Sequence, residues 1–400
     1  LSYLTNVDGV LYFGAGDPTH GIELWKSDGT EAGTVLVKDI WPGTNGSGLQ
    51  SLTNVNGVLY FVAFELTHGY ELWKSDGTEA GTVLVKDIWP GTDSSNPQYL
   101  TNVNGVLYFV ASDLTHGLQL WKSDGTEAGT VLVKDIFPGN GGSSPHFLTN
   151  VNGVLYFTAT DGTNGEELWK SDGTEDGTVL VKDIRPGTNG SGLQSLTNVN
   201  GVLYFVAFEL TNAGELWKSD GTEAGTVPVM NDISTGPSMP SNLTNVNGVL
   251  FFNAWNLTNE CELWKSDGTE TGTVLVKDIW PGTDGSNPQS LTNVNGVLYF
   301  VAGDPTHGIE LWKSDGSEVG TVLVKDINPA ASSSDLQSLT NVNGMLYFRA
   351  YDPLNGYTLW KSDGTEAGTM VVKGIWPHGD FNPQSLTNVN GVLYFVATDP

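Results

Sequence analysis

Most of the chain repeats the stretch Glu71-Leu72-Trp73-Lys74-Ser75-Asp76-Gly77-Thr78-Glu79-Ala80-Gly81-Thr82-Val83-Leu84-Val85-Lys86-Asp87-Ile88. This stretch reads as a strand, a turn that contains glycine and a second strand, which together predict a β-hairpin. A period of 40 to 50 residues indicates a propeller, a solenoid or another repeat array. The tryptophan of the stretch returns every 48 residues, with one interval of 47, at Trp25, Trp73, Trp121, Trp169, Trp217, Trp264, Trp312 and Trp360.

A second hairpin precedes this one in each unit. In most units it turns at an Asn-Gly pair such as Asn56-Gly57, which is a strong hairpin signal because both residues tolerate positive φ. The run Val58–Ala63 that follows is apolar at every position, whereas a strand with one wet face would alternate. We therefore expect a strand that is covered on both sides, and four strands in each unit without any helical period.

Four strands per unit are typical of a propeller blade. The sequence Leu-Thr-Asn begins eight full units and a ninth partial one. We predict an all-β, eight-bladed β-propeller of four-stranded antiparallel blades over residues 1–384, with residues 385–400 as the first hairpin of a ninth repeat. That hairpin either overlaps the closure or starts a further unit. An open β superhelix buries the same faces and stays as the alternative.

Proline marks the outer edge of one unit. Pro228 lies where the other units have the last strand of the second hairpin, and proline lacks the backbone donor that a central strand needs. The last strand of the unit is therefore predicted to be the outermost one; the alternative is local damage in one tolerant blade.

The charge of the chain is strongly negative and its basic residues are regularly placed. The formal net charge is -28. Of the 17 basic residues, all but Arg185 and Arg349 follow the repeat tryptophans or lie in the strand after the Asp-Gly turn. Without a basic patch, binding to nucleic acid or to an anionic membrane is disfavoured. An acidic surface suits an extracellular protein, and no apolar run approaches the roughly 18 residues of a membrane helix. Leu1 already lies within a repeat, so we expect a mature or excised segment.

Two other residue types have plain structural interpretations. The single cysteine, Cys261, aligns with apolar residues such as Ile22 and Leu118, which predicts a half-buried free thiol. His20, His68, His116 and His307 precede glycine in a turn where two units have asparagine instead. Asparagine and histidine share a tolerance of turn geometry rather than metal chemistry, so these histidines are expected to be loop residues.

An aspartate precedes the glycine of each second hairpin. An aspartate in that place accepts backbone N–H bonds and fixes the turn. The alternative is a calcium site in each blade, formed by this carboxylate, loop carbonyls and the glutamate two residues after the glycine; the loop lacks the density of carboxylates seen in dedicated calcium loops. The eight positions are Asp28, Asp76, Asp124, Asp172, Asp220, Asp267, Asp315 and Asp363.

A variable aromatic position follows the second hairpin. Trp41, Trp89, Trp280 and Trp376 occupy it in four units, whereas Phe137, Arg185, Ser234 and Asn328 occupy it in the others. A core position would not accept arginine and serine so readily, so these four tryptophans are expected at the surface. Such rings can stack on sugars or anchor a protein, although they can also simply cover the edge of their own blade.

The repeated Glu-Leu-Trp-Lys-Ser-Asp-Gly-Thr segment resembles the ELWxxDGT repeat family of bacterial secreted and cell-surface proteins. The resemblance covers the whole chain, with Gln119 and Thr358 where glutamate is usual and Ser317 where threonine is usual. It implies an exported protein associated with surfaces or adhesion, and it supplies no catalytic residues.

These observations together predict a binding or adhesion module outside the cell. Each acid recurs in nearly every blade, and such symmetry argues against a single asymmetric active site, so no enzyme activity, catalytic residue or cofactor other than possible calcium is expected. Carbohydrate or protein is the expected ligand, bound with avidity by equivalent surfaces. A self-assembling protein of a surface layer or extracellular filament is the alternative.

Overall fold

The computed structural model describes residues 1–209, 214–230, 238–255, 260–282, 284–329, 332–372 and 382–397. These residues form strands and turns and contain no helix. Among them, accordingly, no helix is long and apolar enough to cross a membrane. The chain divides into two compact units, Leu1–Leu193 with Gly221–Glu223, and Gln194–Asp220 with Ala224–Pro400.

The first unit contains four antiparallel sheets whose four strands follow chain order. Sheet 1 consists of β1 (Ser2–Val7), β2 (Val10–Asp17), β3 (Gly21–Ser27) and β4 (Val35–Lys38). Sheet 2 consists of β5 (Gln50–Val55), β6 (Val58–Glu65), β7 (Gly69–Ser75) and β8 (Val83–Lys86). Sheet 3 consists of β9 (Gln98–Val103), β10 (Val106–Asp113), β11 (Gly117–Ser123) and β12 (Val131–Leu132). Sheet 4 consists of β13 (His146–Val151), β14 (Val154–Thr160), β15 (Glu166–Ser171) and β16 (Val179–Lys182).

The second unit contains four more such sheets and a hairpin. Sheet 5 consists of β17 (Gln194–Val199), β18 (Val202–Phe208), β19 (Gly214–Ser219) and β20 (Val227–Pro228). Sheet 6 consists of β21 (Ser238–Val246), β22 (Val249–Trp255), β23 (Cys261–Ser266) and β24 (Val274–Lys277). Sheet 7 consists of β25 (Gln289–Val294), β26 (Val297–Asp304), β27 (Gly308–Ser314) and β28 (Val322–Lys325). Sheet 8 consists of β29 (Gln337–Val342), β30 (Met345–Asp352), β31 (Gly356–Ser362) and β32 (Met370–Val371). The hairpin consists of β33 (Gln384–Val389) and β34 (Val392–Val396).

The Asn-Gly pairs form the turns that the sequence predicts. Asn56 has a φ of 52° and Gly57 a φ of 82°, and the residues on either side, Val55 and Val58, pair across the hairpin. Two positive φ angles in a two-residue loop match the right-handed twist of the strands that it joins. The amide of Gly57 also donates to Asn54 Oδ1 at 2.9 Å, which fixes the entry to the turn.

The second strand of a sheet is buried on both faces, as its apolar run predicts. Leu59 and Phe61 of β6 pack against residues of sheet 1, including Tyr12. Tyr60, on the other face of the same strand, packs with Phe109 of sheet 3. Each large buried side chain contributes about 1.5–3 kcal/mol, and most of that burial exists only between sheets. A single sheet would therefore lack a core of its own.

The outer strand and the fold class agree with the sequence-based prediction. Pro228 lies in β20, which pairs only with β19, at the edge of sheet 5. The missing N–H of proline therefore costs no ladder hydrogen bond. The chain is all-β and is built from repeated four-stranded antiparallel sheets, the arrangement found in the blades of a β-propeller.

Candidate ligand-binding grooves between consecutive sheets

An open groove of about 540 Å³ lies between sheets 1 and 2, at the end where the third strand of each sheet begins. Ser2 and Tyr3 of β1 and Ile22 of β3 form one side, while Gln50 and Tyr70 of sheet 2 form the other. The lining combines aromatic rings with hydroxyl and amide groups, and no charged side chain belongs to it. A concave surface of this composition suits an uncharged polar ligand with apolar faces.

A buried glutamate holds the loop that forms the floor of this groove. Glu23 is fully buried and accepts hydrogen bonds from the amides of Ile40 at 3.1 Å and Ser47 at 2.9 Å. Ser47 then joins the two sheets, because its amide donates to Ile22 O and its carbonyl accepts from the amide of Phe64. Burial raises the pKa of Glu23, although the hydrogen bonds that it accepts oppose that rise. This glutamate belongs to the Glu-Leu-Trp segment, and its role in the loop was not predicted from the sequence.

Sheet 3 has an amide in place of this carboxyl group. Gln119 Nε2 donates to Asp135 Oδ1 at 2.8 Å, and Gln119 Oε1 accepts from Ser143 Oγ. The aspartates that correspond to Asp135 in four glutamate-containing sheets each have a buried Oδ1 without a hydrogen-bond partner among the described residues. They are Asp39, Asp87, Asp183 and Asp326. In sheet 3 the amide of Gln119 therefore donates a hydrogen bond to the aspartate. In the other four sheets an ionised glutamate has no proton to donate to it.

Three aromatic residues beside the grooves have strained backbones and exposed rings. Tyr3, Tyr99 and Phe147 have φ angles of 57°, 55° and 54°, and they are 48%, 50% and 41% exposed. A bulky residue in this left-handed region costs roughly 1–2 kcal/mol, which burial does not offset here. Serine occupies the same position at Ser51 and Ser195 with the same φ sign. Folding therefore does not require an aromatic ring at this position.

The strands that carry these aromatic residues lie side by side in the first unit. Asn54 Nδ2 of β5 donates to Asn6 O of β1 at 3.3 Å, and Asn102 Nδ2 of β9 donates to Asn54 O at 3.4 Å. Asn150 of β13 continues the series by donating to Asn102 O at 3.3 Å. The equivalent positions on neighbouring strands are therefore arranged in a row, which we call the aromatic row: Tyr3, Ser51, Tyr99 and Phe147.

Sheet 4 brings a charged pair to the end of the aromatic row. His146 Nε2 lies 3.2 Å from Glu166 Oε1, and His146 Nδ1 lies 2.9 Å from Ser144 O. Both ring nitrogens therefore have acceptors, and the pKa of His146 is raised, chiefly by the hydrogen bond to Glu166. The His146 ring also lies against Phe147, with the ring centroids 4.9 Å apart. This pairing could not be predicted from the sequence, because 20 residues separate His146 from Glu166.

Three of the four tryptophans that were predicted to bind ligand lie at the same end of the sheets as the groove. Trp41, Trp89 and Trp280 are half-buried, and Trp376 lies outside the described residues. The Trp41 ring contacts Phe64 of sheet 2 at 4.7 Å between centroids, and Phe64 contacts Tyr70 in the groove at 5.2 Å. The Trp41 ring thus covers the edge of the next sheet and is also partly exposed to solvent. Sugar stacking by the four tryptophans stays a prediction.

The aspartates of the second hairpins lie at the opposite ends of the strands from the grooves. Asp76 Oδ1 accepts hydrogen bonds from the Thr78 amide at 2.8 Å and from Thr78 Oγ1 at 2.7 Å. The hydrogen bond from the Thr78 side chain is the main cause of the lowered pKa of Asp76. The described residues contain no group of three or more His, Cys, Asp or Glu side chains placed to hold a metal ion. Calcium binding at these turns stays a prediction. The same turn hydrogen bonds recur at Asp28, Asp124, Asp172, Asp267, Asp315 and Asp363.

The turn histidines and the cysteine have the structural roles that the sequence predicts. His68 Nδ1 lies 2.6 Å from Glu65 Oε2 within its turn. Asn164 Nδ2 takes the corresponding place in sheet 4, 2.7 Å from Asp161 Oδ2, which explains why the two residue types alternate. Cys261 is a free thiol and is more deeply buried than expected, since only 4% of it is exposed.

Comparison with known proteins gives similarity to solved structures only. No protein-family model matches the chain, so its likeness to the ELWxxDGT repeats remains a resemblance. No curated protein matches it either.

Three similar structures illustrate the range of matches. One comes from a structural and mechanistic analysis of two prolyl endopeptidases, with 13% identity, a TM-score of 0.45 and coverage of 90% of this chain and 53% of that chain. Puromycin hydrolase has 12% identity, a TM-score of 0.42 and coverage of 99% of this chain and 58% of that chain. The BP39L lectin from Burkholderia pseudomallei has 10% identity, a TM-score of 0.34 and coverage of 79% of this chain and 95% of that chain.

These matches bear on one sequence-based expectation. The chain spans little more than half the length of the endopeptidase and hydrolase chains that it matches. The prediction that this protein is not an enzyme is wrong on this comparison, because enzymes are among the structures to which the chain is similar.

Proposed function

We propose that the chain binds carbohydrate outside the cell, through the aromatic row and the grooves beside it. The observation that carries this proposal is the combination of strain and exposure at Tyr3, Tyr99 and Phe147. The fold accepts serine at this position, so the aromatic rings serve something other than folding. A strained residue that neighbouring structure holds in place is a common feature of ligand sites.

The chemistry of the groove between sheets 1 and 2 supports a sugar rather than a fatty or strongly charged ligand. Sugar rings present C–H faces that pack on aromatic rings and hydroxyl groups that bind neutral donors and acceptors. Tyr3 and Tyr70 supply the rings, and Ser2, Thr44 and Gln50 supply hydroxyl and amide groups. Exposed rings lie on three strands of the first unit, and several weak contacts along one sugar chain would give avidity.

The proposal is tested by titrating the full chain with neutral oligosaccharides in a calorimeter. Tyr3→Ser, Tyr99→Ser and Phe147→Ser introduce the residue that sheet 2 has at this position, so each variant is expected to fold. We expect each to weaken binding about three- to tenfold, as loss of one stacked ring would. Leu114→Ser, an exposed apolar residue of a turn in sheet 3, is the matched control and should leave affinity unchanged. Equal affinity in all four variants would overturn the assignment.

A further inference from the structure

We propose that the surface formed by Tyr99 of sheet 3 and by His146, Phe147 and Glu166 of sheet 4 binds sugar residues that carry a free primary amine, with Glu166 as the carboxylate that receives the ammonium group. This inference rests on the proposed function and deepens it, because it names the class of sugar. It concerns Tyr99, His146, Phe147 and Glu166, all of which belong to the first unit.

Long stretches of sheet 4 are identical to sheet 2, but the two sheets differ at this surface. Residues 148–157 of sheet 4 are identical to residues 52–61 of sheet 2, and residues 167–175 are identical to residues 71–79. The substitutions at the groove are His146 for glutamine, Phe147 for serine and Glu166 for tyrosine. The register of the first two strands is the same in both sheets. The backbone therefore does not require these three side chains.

The Glu166 carboxylate is partly exposed and lies beside an aromatic ring. The Glu166 side chain is 36% exposed, and only one of its oxygens, Oε1, contacts His146. Its other oxygen, Oε2, has no hydrogen-bond partner among the described residues. Phe147 lies against the His146 ring, and Tyr99 projects from the neighbouring strand β9 with half of its surface exposed. A carboxylate with an available oxygen is thus joined through His146 to the exposed Phe147 ring, and Tyr99 and Glu166 occupy the positions that correspond to Tyr3 and Tyr70, which line one groove in sheets 1 and 2.

A carboxylate beside aromatic rings favours a ligand that carries an ammonium group. An ammonium group pairs with a carboxylate and is also attracted to aromatic faces, whereas a hydroxyl group or an acetamide gains much less from either contact. A carboxylated or sulfated sugar would be repelled by Glu166. The net charge of -28 also favours a cationic ligand over an anionic one.

The lysines of the first unit do not oppose this choice, because their ammonium groups bind elsewhere. Lys122 Nζ donates to Gly173 O at 2.8 Å, and Lys134 Nζ donates to Thr178 O at 2.9 Å. Both carbonyls belong to the Asp-Gly turn of sheet 4, at the opposite end of its third strand from the groove. These two ammonium groups therefore do not neutralise Glu166.

His146 makes the proposal sharply testable. In its protonated form it occupies one oxygen of Glu166 and competes with an incoming ammonium group for the same charge. Removing the histidine should therefore strengthen binding of an amine, whereas removing the carboxylate should weaken it. A purely structural His146–Glu166 pair predicts that both substitutions have the same sign.

The experiment uses the full chain and calorimetric titration with glucosamine tetramers and their fully N-acetylated counterparts. We expect Glu166→Gln to weaken binding of the amine tetramer about tenfold and to leave the acetylated tetramer unchanged. His146→Gln, which introduces the residue of sheets 2 and 3, should strengthen binding of the amine tetramer about threefold. Glu175→Gln removes an equal charge from the exposed turn of sheet 4 and should change neither affinity.

The outcomes separate this proposal from the broader one. If neutral and acetylated sugars bind but Glu166→Gln changes nothing, or if both groove substitutions weaken the amine equally, this inference fails and the proposed function stands. If no oligosaccharide binds the unaltered chain, both fail. Thermal unfolding of each variant, measured by circular dichroism, checks that the altered proteins are folded.

Discussion

Lys26 and Gly77 lie 51 residues apart in the chain, and Lys26 Nζ donates a hydrogen bond to Gly77 O at 2.9 Å. Lys38 Nζ reaches the same turn of sheet 2 and donates to Thr82 O at 3.0 Å. The two regular sets of lysines therefore join consecutive sheets within a unit by binding turn carbonyls. The same contact recurs at Lys74, Lys122, Lys218, Lys265 and Lys313.

This relationship predicts that Lys74→Met destabilises the first unit. A hydrogen bond from a charged donor contributes about 1.5–3 kcal/mol, and Lys74 Nζ donates to Gly125 O at 2.8 Å. Urea unfolding should therefore show a lower midpoint. Lys361→Met is the matched control, because Lys361 has no such hydrogen bond among the described residues, and it should change the midpoint little. Equal effects in the two variants would mean that the lysines act through general charge rather than through the turn.

The buried glutamates predict that stability falls as the solution becomes alkaline. Burial raises the pKa of Glu71, Glu167 and Glu310 to about 7, from 4.5 for an ordinary glutamate. A raised pKa means that the folded state binds the proton more tightly, so this contribution is fully present below about pH 4.5 and is lost as the pH rises through about 7. The proton also supplies a donor for the neighbouring aspartate, as the amide of Gln119 does in sheet 3.

Glutamine at these three positions should remove much of that dependence. We expect the triple variant Glu71→Gln, Glu167→Gln, Glu310→Gln to unfold at nearly the same urea concentration at pH 5 and pH 8, whereas the unaltered chain should be less stable at pH 8. A rise from 4.5 to about 7 corresponds to about 3 kcal/mol at each position, so the three positions together contribute at most on the order of 10 kcal/mol. If the triple variant keeps the same difference between its urea midpoints at pH 5 and pH 8 as the unaltered chain, other groups cause the pH dependence.

The Asp-Gly turns predict different effects for two substitutions at one position. Asp76→Asn keeps an Oδ1 that accepts from Thr78, so the turn should persist and the melting temperature should change little. Asp76→Ala loses both hydrogen bonds to Oδ1, so its melting temperature should fall below that of Asp76→Asn. Both melts are run with calcium and with a chelator. A calcium-dependent rise in melting temperature that Asp76→Asn abolishes would establish the calcium site instead.

The closed ring and the open superhelix predict different particles. Negative-stain images of the purified chain should show discs if eight sheets close into a propeller, whereas rods would indicate stacked sheets. Sedimentation at micromolar concentration should give the mass of one chain, 42.7 kDa, if the protein is a binding module. A larger mass that falls on chelation would favour the self-assembling alternative.

Some of these features could be read from local sequence and others could not. Asn56-Gly57 and the apolar run from Val58 decide a turn and a doubly covered strand through local backbone chemistry and periodicity. The function of Glu71 could not be predicted, because its partners Ile88 and Ser95 become neighbours only when the loop folds back over the sheet.

The candidate site was predictable only in outline. The sequence predicted that variable aromatic residues at the surface bind ligand, and it singled out the tryptophans. The rings that are both strained and exposed belong to Tyr3, Tyr99 and Phe147. The sequence alignment of the repeats shows that these three residues replace the serine found in other repeats. That the position has positive φ could not be seen, since this depends on the irregular pairing at the start of the first strand.

The separation of Lys74, which binds the turn of the next sheet, from the groove residues has a consequence for how such a chain can change over time. The side chains that join one sheet to the next are different from those at His146, Phe147 and Glu166. Duplication of one repeat therefore supplies a new sheet that already fits its neighbours, together with a copy of the groove residues. Later substitutions at a few groove positions can give that copy a different ligand without a new folding problem, so a diverse set of binding sites can accumulate on a nearly uniform scaffold.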